Sequence, residues 1–359
     1  MIFDLFPLVK PILHNLDAEK AHTLTVNCMR VGMTGLFGQS PNPASLKTEV
    51  FGLTFSNPVG MAAGFDKNAE VIAATHKLGF GFAEAGTVTP LPQKGNETPR
   101  LFRLKKDKAV INRFGFNNKG LDYFANGLKK LNPGTTPFGA NVGANKQSDD
   151  KTADYVKGIE TLYGLADYFT VNISSPNTPG LRALQSKEAL SDLVIRVLAA
   201  RERKMAAGQA RMPILIKIAP DLTSSDMADI ADIALTTDID GLIISNTTII
   251  RPASLTDAQK NETGGLSGAP LMAPSTRILH KMYEATGGKV PLIGVGGIMN
   301  GADAYAKICA GASLVQLYSA LVYEGPGLID RIKFDLAVLL QENGYSSISA
   351  AVGSAHTKP

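Results

Sequence analysis

The sequence predicts an α/β fold: a (β/α)8 barrel preceded by an N-terminal two-helix extension. Three observations carry this. From residue 50 onward, eight short apolar runs recur, each followed by a stretch of helical character. The runs are apolar almost throughout, which implies strands buried on both faces and a parallel sheet with helical crossovers. The first 36 residues follow another pattern, with a broad apolar face and no strand signal. Eight units over roughly 290 residues fit one closed barrel, and a doubly wound sheet is the alternative topology.

Residues 1–36 come first. Phe3, Leu5, Phe6, Leu8, Val9, Ile12, Leu13 and Leu16 make an apolar segment interrupted by Pro7 and Pro11. Asp17 is placed to cap a second helix, and Glu19 lies in its first turn, where the helix dipole favours an acid. That helix is expected to run to about Thr34, with Ala21, Leu24, Cys28 and Val31 on one face, widened by Met29, Met33 and Leu36. Gly35, Gly38 and the Ser40-Pro41-Asn42-Pro43 stretch then end it. Such a segment is either a hairpin packed on the main body or an apolar lid resting on a membrane surface.

The eight runs cover 57–64, 80–88, 137–143, 167–174, 213–219, 240–246, 291–298 and 313–317. Helices are expected near 67–78, 117–130, 150–163, 187–206, 224–236, 275–286, 301–310 and 327–342. Two insertions lie on the side where barrel enzymes keep their sites. One, 90–116, carries two short strands around Lys105–Lys108; the other, 247–273, is rich in Gly, Thr and Asn. The tail from Gly344 is small and polar, and is expected to be ordered only in part.

Composition narrows the classes. In 359 residues, 44% are hydrophobic and 19% charged, with net charge +4, as in an ordinary packed protein. No basic stripe points to nucleic acid. Cys28 and Cys309 stand far apart in apolar surroundings and read as small buried hydrophobes in a reducing compartment. No run of 18 apolar residues predicts a spanning helix. The start, Met1-Ile2-Phe3-Asp4, resembles neither a signal nor a transit peptide.

The strand ends are polar in a particular way. They carry Ala62-Ala63-Gly64 with Phe65-Asp66-Lys67 beyond, then Thr87, Asn141, Asn172, Lys217, Ser245-Asn246-Thr247, Gly296-Gly297 and Tyr318-Ser319. Lys217 lies between Ile216 and Ile218, and a buried charge needs a partner. A structural ion pair would serve, but its place at a strand's C-terminal end favours a bound anion or electron-rich ring. The glycines of strand seven and Tyr318-Ser319 after strand eight suit a barrel phosphate site. No metal-ligand spacing appears, and flavin mononucleotide (FMN) fits better than a metal. The stretch TVNISSPNTPG (170–180) ends strand four in two serines, either a polar turn or a source of chemistry.

Ten ordered motifs then coincide with one family. They are AAGFDKN (62–68), PRLFRL (99–104), INRFGFNN (111–118), NVGANK (141–146), VNISSPNTPGLR (171–182), IKIAPD (216–221), SNTT (245–248), GGLSG (264–268), GVGGI (294–298) and QLYSALVYEGP (316–326). Along essentially its whole length the chain resembles the class 2, quinone-dependent dihydroorotate dehydrogenases.

The resemblance implies a TIM barrel over 41–359 that holds FMN, and a 1–40 extension that forms an apolar quinone tunnel and rests on the membrane. It implies oxidation of (S)-dihydroorotate to orotate in pyrimidine biosynthesis, with ubiquinone or menaquinone as final acceptor. Ala62, Ala63, Gly64, Thr87, Asn141, Asn172, Lys217, Ser245, Gly268, Gly297, Tyr318 and Ser319 would contact the cofactor. Lys67, Asn112, Arg113, Phe114, Gly115, Phe116, Asn172, Asn177, Asn246 and Thr247 would hold substrate.

Ser175 would be the base that takes the C5 proton, with Thr178 and Phe116 shaping a relay. His22, Arg103 and Tyr318 would lie near the quinone head group. Serine at 175, where class 1 enzymes carry cysteine, agrees with the extension. Pro7 and Pro11 depart from the family pattern and suggest a short or kinked first helix. A monomer, without nucleic acid or metal, peripheral on the cytoplasmic face of a bacterial inner membrane, is the matching expectation. Competing readings are a class 1 enzyme, a tRNA dihydrouridine synthase, a phosphate-binding aldolase or isomerase, and a non-catalytic membrane binder.

Overall fold

The computed structural model describes residues 6–36, 40–131 and 136–356. Eight parallel strands close into a barrel in chain order: Val59–Met61, Phe82–Val88, Phe138–Val142, Tyr168–Asn172, Ile214–Ile218, Gly241–Ile244, Leu292–Val295 and Ala312–Leu317. We number these barrel strands one to eight. Strand eight pairs with strand one through Val315–Val59 and Leu317–Met61, which completes the circle. The near-continuous apolar runs are thereby explained: each strand faces the barrel interior on one side and the helical layer on the other.

Helices follow the strands with local signals that fix their starts. Asp150 and Asn300 cap the helices at Lys151–Leu162 and Gly301–Cys309, and Thr223 and Asp226 form a reciprocal capping box at Ser224–Thr236. The helix after strand one is shorter than expected, Ile72–His76 instead of 67–78. Asp66 is the reason. Its carboxylate accepts from the backbone N–H of Asn68 (3.3 Å), Glu70 (2.9 Å) and Val71 (2.7 Å), so the side chain outcompetes helix formation there. Lys67 is left on a loop at the barrel mouth.

A short hairpin, Thr48–Val50 with Leu53–Phe55, precedes strand one and was not anticipated. Its Phe55 ring lies edge-on to Phe82 at 5.3 Å and closes the barrel floor. Over the mouth, the two expected strands of the first insertion form at Leu101–Leu104 and Ala109–Asn112. A third, Gly265–Gly268 from the second insertion, pairs antiparallel with Ala109–Asn112. Its glycine-rich sequence hid it, yet the glycines are required by the pairing. A Cβ at Gly268 would lie 2.4 Å from Lys108 O.

At the N-terminus, α1 (Phe6–Asn15) contains Pro11, and α2 (Ala18–Arg30) is capped by Asp17, whose Oδ1 accepts from Glu19 and Lys20 N–H. The second helix stops earlier than the expected Thr34, because Gly32 at φ +86° turns the chain out of it. Ala21 packs inward, whereas Leu24 and Val31, expected on the same face, are exposed. The pair is held to the mouth sheet by polar contacts. Arg100 grips Glu19, donating from Nη2 to Oε1 (2.7 Å) and from Nε to Oε2 (3.0 Å) and Oε1 (3.1 Å). Arg103 donates to Leu13 O (2.7 Å) and Leu16 O, closing the carbonyl end of α1. Phe3, Leu5 and the side chain of Leu36 lie outside the described residues.

The tail is ordered further than expected. Ile348–Ala351 forms a short helix and Ser354–His356 a 3-10 turn, with Gly353 N–H donating to Ile308 O at 3.1 Å. Cys28 and Cys309 are half-buried rather than fully buried, and both are free thiols.

Below the barrel, buried Arg201 donates to Asp240 (3.0 Å) and to Asp238. Removing one partner of a buried ion pair strands the other, so Arg201→Ala should cost about 3–5 kcal/mol in urea unfolding. The exposed pair Arg203–Glu160 should cost no more than about 1 kcal/mol. Equal losses from the two substitutions would contradict this reading.

Candidate functional site

A cavity of about 620 Å³ opens at the C-terminal mouth of the barrel and runs out between α1 and α2. Its inner wall is polar and built from strand ends; its outer wall is apolar, with Leu13, Ala21, Leu24 and Cys28 among its lining. One cavity therefore joins two chemical environments.

The inner wall rests on a chain of buried hydrogen bonds. Glu84, inside the barrel and 1% exposed, accepts from Asn141 Nδ2 (2.6 Å) and from Gln316 Nε2 (2.8 Å). Thr87 Oγ1 donates to Asn141 Oδ1 (2.5 Å) and accepts from Asn172 Nδ2 (2.9 Å). Asn172 Oδ1 accepts from Ser174 Oγ (2.7 Å), and Ser174 Oγ accepts from Asn246 Nδ2 (2.9 Å). Each amide is fixed in orientation because its alternative flip would set acceptor against acceptor at Glu84 for Asn141, or donor against a backbone N–H for Asn172 and Asn246.

Lys217 enters this wall from strand five. It lines the cavity, is 5% exposed, and makes no hydrogen bond to any described residue. Burial lowers its pKa and the Glu84 carboxylate pulls it back up. A buried ammonium without a hydrogen-bond partner costs free energy unless a ligand supplies one.

Lys67 occupies the other side. Its Nζ donates to Gly64 O (2.9 Å), lies 3.3 Å from His22 Nε2, and sits 4.4 Å over the Phe114 ring. Burial pushes its pKa down to about 8, against the attraction of Glu19. His22 is held well below its ordinary pKa by burial and by Lys67. The imidazole is thus neutral, accepts from Lys67 at Nε2, and presents Nδ1–H to Tyr318 Oη at 3.2 Å. The N-terminal helix pair is in this way wired to the inner wall.

Ser175 and Asn177 close the cavity from the loop after strand four. Ser175 Oγ accepts from Asn177 N–H at 3.3 Å, and Asn177 Nδ2 donates to Asn112 O at 3.1 Å. Arg182 anchors this loop, donating to Ser174 O (3.0 Å), Asp221 (2.8 Å) and Thr247 O (3.0 Å).

Most residues singled out from the sequence line this one cavity: Ala62, Ala63, Gly64, Lys67, Thr87, Asn112, Phe114, Gly115, Phe116, Asn172, Ser175, Asn177, Lys217, Ser245, Asn246, Thr247, Gly268, Gly297, Tyr318 and Ser319, with His22 and Arg103 at its outer part. Three do not. Asn141 stands behind Thr87 and reaches the cavity only through it. Thr178 is buried within the loop after strand four, with an Oγ1 that has no partner among the described residues. Arg113 turns away, donating to Glu262 (2.7 Å) with its guanidinium over Phe102. Ser174, the first serine of the TVNISSPNTPG stretch, is fully buried and bridges two amides. Glu84, Ser174 and Arg182 were not anticipated. Only Glu84 had a visible signal, a charge inside the apolar run FAEAGTV.

A family model described as dihydroorotate dehydrogenase matches residues 45–340. A "Dihydroorotate dehydrogenase (quinone)" from Parvibaculum lavamentivorans is 55% identical over 353 residues, covering 98% of this chain and 99% of the relative. This chain belongs to the quinone-dependent dihydroorotate dehydrogenases. The family extends to eukaryotes: the Oryza sativa "Dihydroorotate dehydrogenase (quinone), mitochondrial" is 48% identical over 378 residues, covering 98% of this chain and 80% of that one. The Eimeria tenella dihydroorotate dehydrogenase, solved in complex with ferulenol, superposes with TM-score 0.91 at 40% identity, covering 98% and 99% of the two chains. That coverage includes the N-terminal helices, so family members share the extension as well as the barrel.

Proposed function

We propose that this enzyme oxidises (S)-dihydroorotate to orotate on bound FMN and passes the electrons to a membrane quinone, in pyrimidine biosynthesis. The observation that carries the proposal is the single cavity with a polar inner wall and an apolar outer reach between α1 and α2. Dihydroorotate oxidation with a quinone acceptor is the activity of the family, and the family is flavin-dependent.

The residues present fit FMN. Lys217 offers an ammonium that lacks a hydrogen-bond partner in the inner wall. The helix Ser319–Glu324 begins at the cavity without a side-chain cap, and such starts favour phosphate. Gly297 runs so close to Met272 that a Cβ would lie 2.2 Å from its backbone nitrogen, so only glycine keeps this wall in place. Ala62, Ala63, Gly64, Thr87, Asn172, Ser245, Gly268, Tyr318 and Ser319 would complete the cradle, with Asn141 acting through Thr87.

Bound FMN supplies a hydride acceptor and an electron relay. The chain's own residues do the rest. Lys67 binds the substrate carboxylate, and Asn112, Asn172, Asn177, Asn246 and Thr247 hold its ring amides in one orientation. Ser175 Oγ takes the C5 proton. A serine is a weak base, so it needs an acceptor beyond it. The Thr178 hydroxyl, without a partner among the described residues, would hold a water for that purpose, with Phe116 lining the cavity. Arg113 braces the loop through Glu262 instead of touching substrate.

Residues 1–40 form the quinone channel and membrane contact, and 41–359 the FMN barrel. Leu8 (74% exposed), Ile12 (64%) and Val31 (78%) give the extension an outward apolar surface. No helix among the described residues is long and apolar enough to cross a membrane. We place the enzyme as a peripheral monomer on the cytoplasmic side of the inner membrane, using ubiquinone or menaquinone.

Lys67 gives a pH test. Its ammonium is present below about pH 8 and lost as pH rises through it. Orotate affinity, read from flavin absorbance, should therefore fall about tenfold per unit above that value. Lys67→Met should be weak and flat across the range. A flat profile in the unmodified enzyme would remove Lys67 from carboxylate binding.

A further inference from the structure

Far from the mouth, three ligand-bearing side chains meet on the outer surface. His280 and Glu284 stand one turn apart on the helix Met272–Ala285, and the ordered tail lays His356 against them. Glu284 Oε1 is 3.3 Å from His280 Nε2 and 3.8 Å from His356 Nδ1, and the three ligating atoms all lie within 4.8 Å of one another. In a tetrahedral site with metal–ligand bonds near 2.05 Å, neighbouring donor atoms stand about 3.3 Å apart. The distances are within reach of that once His280 rotates out of its near-parallel stack on His356.

A second observation concerns His356 itself. Its Nε2 lies 3.1 Å from Ala310 O, so Nε2 carries the proton and Nδ1 is left as a lone pair turned toward Glu284. A backbone carbonyl on the far nitrogen is how metal-binding histidines are commonly oriented. The Tyr283 ring, 4.6 Å away, braces the imidazole from one side. His280 stacks on His356 at 3.8 Å and is 38% exposed, free to tilt until its lone pair converges.

We propose that His280, Glu284 and His356 form a binding site for a borderline divalent cation, zinc foremost, that clasps the C-terminal tail to the barrel. Two imidazoles and one carboxylate form a donor set that zinc accepts, with a fourth position left for water. Ala310 precedes strand eight, so the site lies at the end of the barrel opposite the cavity. Zinc there stabilises the fold without touching the chemistry.

The test uses the full-length, untagged, FMN-loaded enzyme after chelator treatment, titrated with zinc chloride by calorimetry. The expected result is one binding event that disappears in His280→Gln, in Glu284→Gln and in His356→Gln. Zinc should slow hydrogen exchange across residues 348–356 and raise the melting temperature in the parent only. Flavin reduction by dihydroorotate should be unchanged in His280→Gln and Glu284→Gln, which also shows that they fold. No binding in the parent, or binding that survives unchanged in the His280→Gln/Glu284→Gln double variant, would overturn the proposal.

Discussion

Ser175→Ala is expected to slow flavin reduction by dihydroorotate by about two to four orders of magnitude, with FMN still bound. Ser175 is 4% exposed and lines the cavity, and among the described residues its hydroxyl has one hydrogen-bond partner, the Asn177 N–H from which it accepts at 3.3 Å. Alanine removes one oxygen and leaves the loop in place. Arg182 holds that loop by backbone contact with Ser174, which the substitution does not touch. Stopped-flow spectroscopy at 450 nm separates the two effects: flavin content reports the fold, and the rate of bleaching reports the proton transfer. Ser174→Ala should differ in kind. It breaks the bridge between Asn172 and Asn246, so it should raise the substrate concentration needed for half-maximal reduction. If Ser175→Ala reduces at near-normal rate, the base lies elsewhere.

The second large effect is expected where the cavity leaves the barrel. Cys28→Trp should fill the gap between α1 and α2 and slow flavin reoxidation by quinone about a hundredfold, with reduction by dihydroorotate changed little. Cys28 lines the cavity from α2, one turn beyond Leu24. Removing residues 1–36 is a blunter test. It also takes away Glu19, the partner of Arg100, and His22, the partner of Lys67 and Tyr318. The truncated enzyme should therefore lose quinone turnover and membrane binding and bind dihydroorotate less well, yet still be reduced by it. Reoxidation at the parent rate in Cys28→Trp would mean that quinone reaches the flavin by another route.

The barrel was legible because burial on both faces leaves a direct mark, eight apolar runs in a row. Lys217 was legible for the same reason, as a charge where none should be tolerated. Glu84 carried an equal mark in FAEAGTV but had no family motif to draw attention to it, and it proves to be the opposing charge. Depth was harder to read. Asn141 and Thr87 both end their strands, but which of them faces the cavity depends on barrel geometry that one sequence does not express. Arg113 sits inside a motif whose neighbours line the site, and its side chain turns outward because Glu262, far along the chain, holds it. The third mouth strand was hidden because glycines at 264, 265 and 268 weaken strand propensity while serving close backbone pairing. Lys67 reaches the site because Asp66 uses its carboxylate on three backbone N–H groups, a local contest that helical periodicity does not register.

The most direct test of the whole account is an anaerobic two-step titration of the FMN-loaded enzyme. Dihydroorotate is added first, then either a soluble quinone or NAD+, and flavin absorbance is followed throughout. Dihydroorotate should bleach the flavin, quinone should return the colour rapidly, and NAD+ should not return it. Failure of dihydroorotate to bleach the flavin, or recovery with NAD+ but not with quinone, would contradict the proposed function.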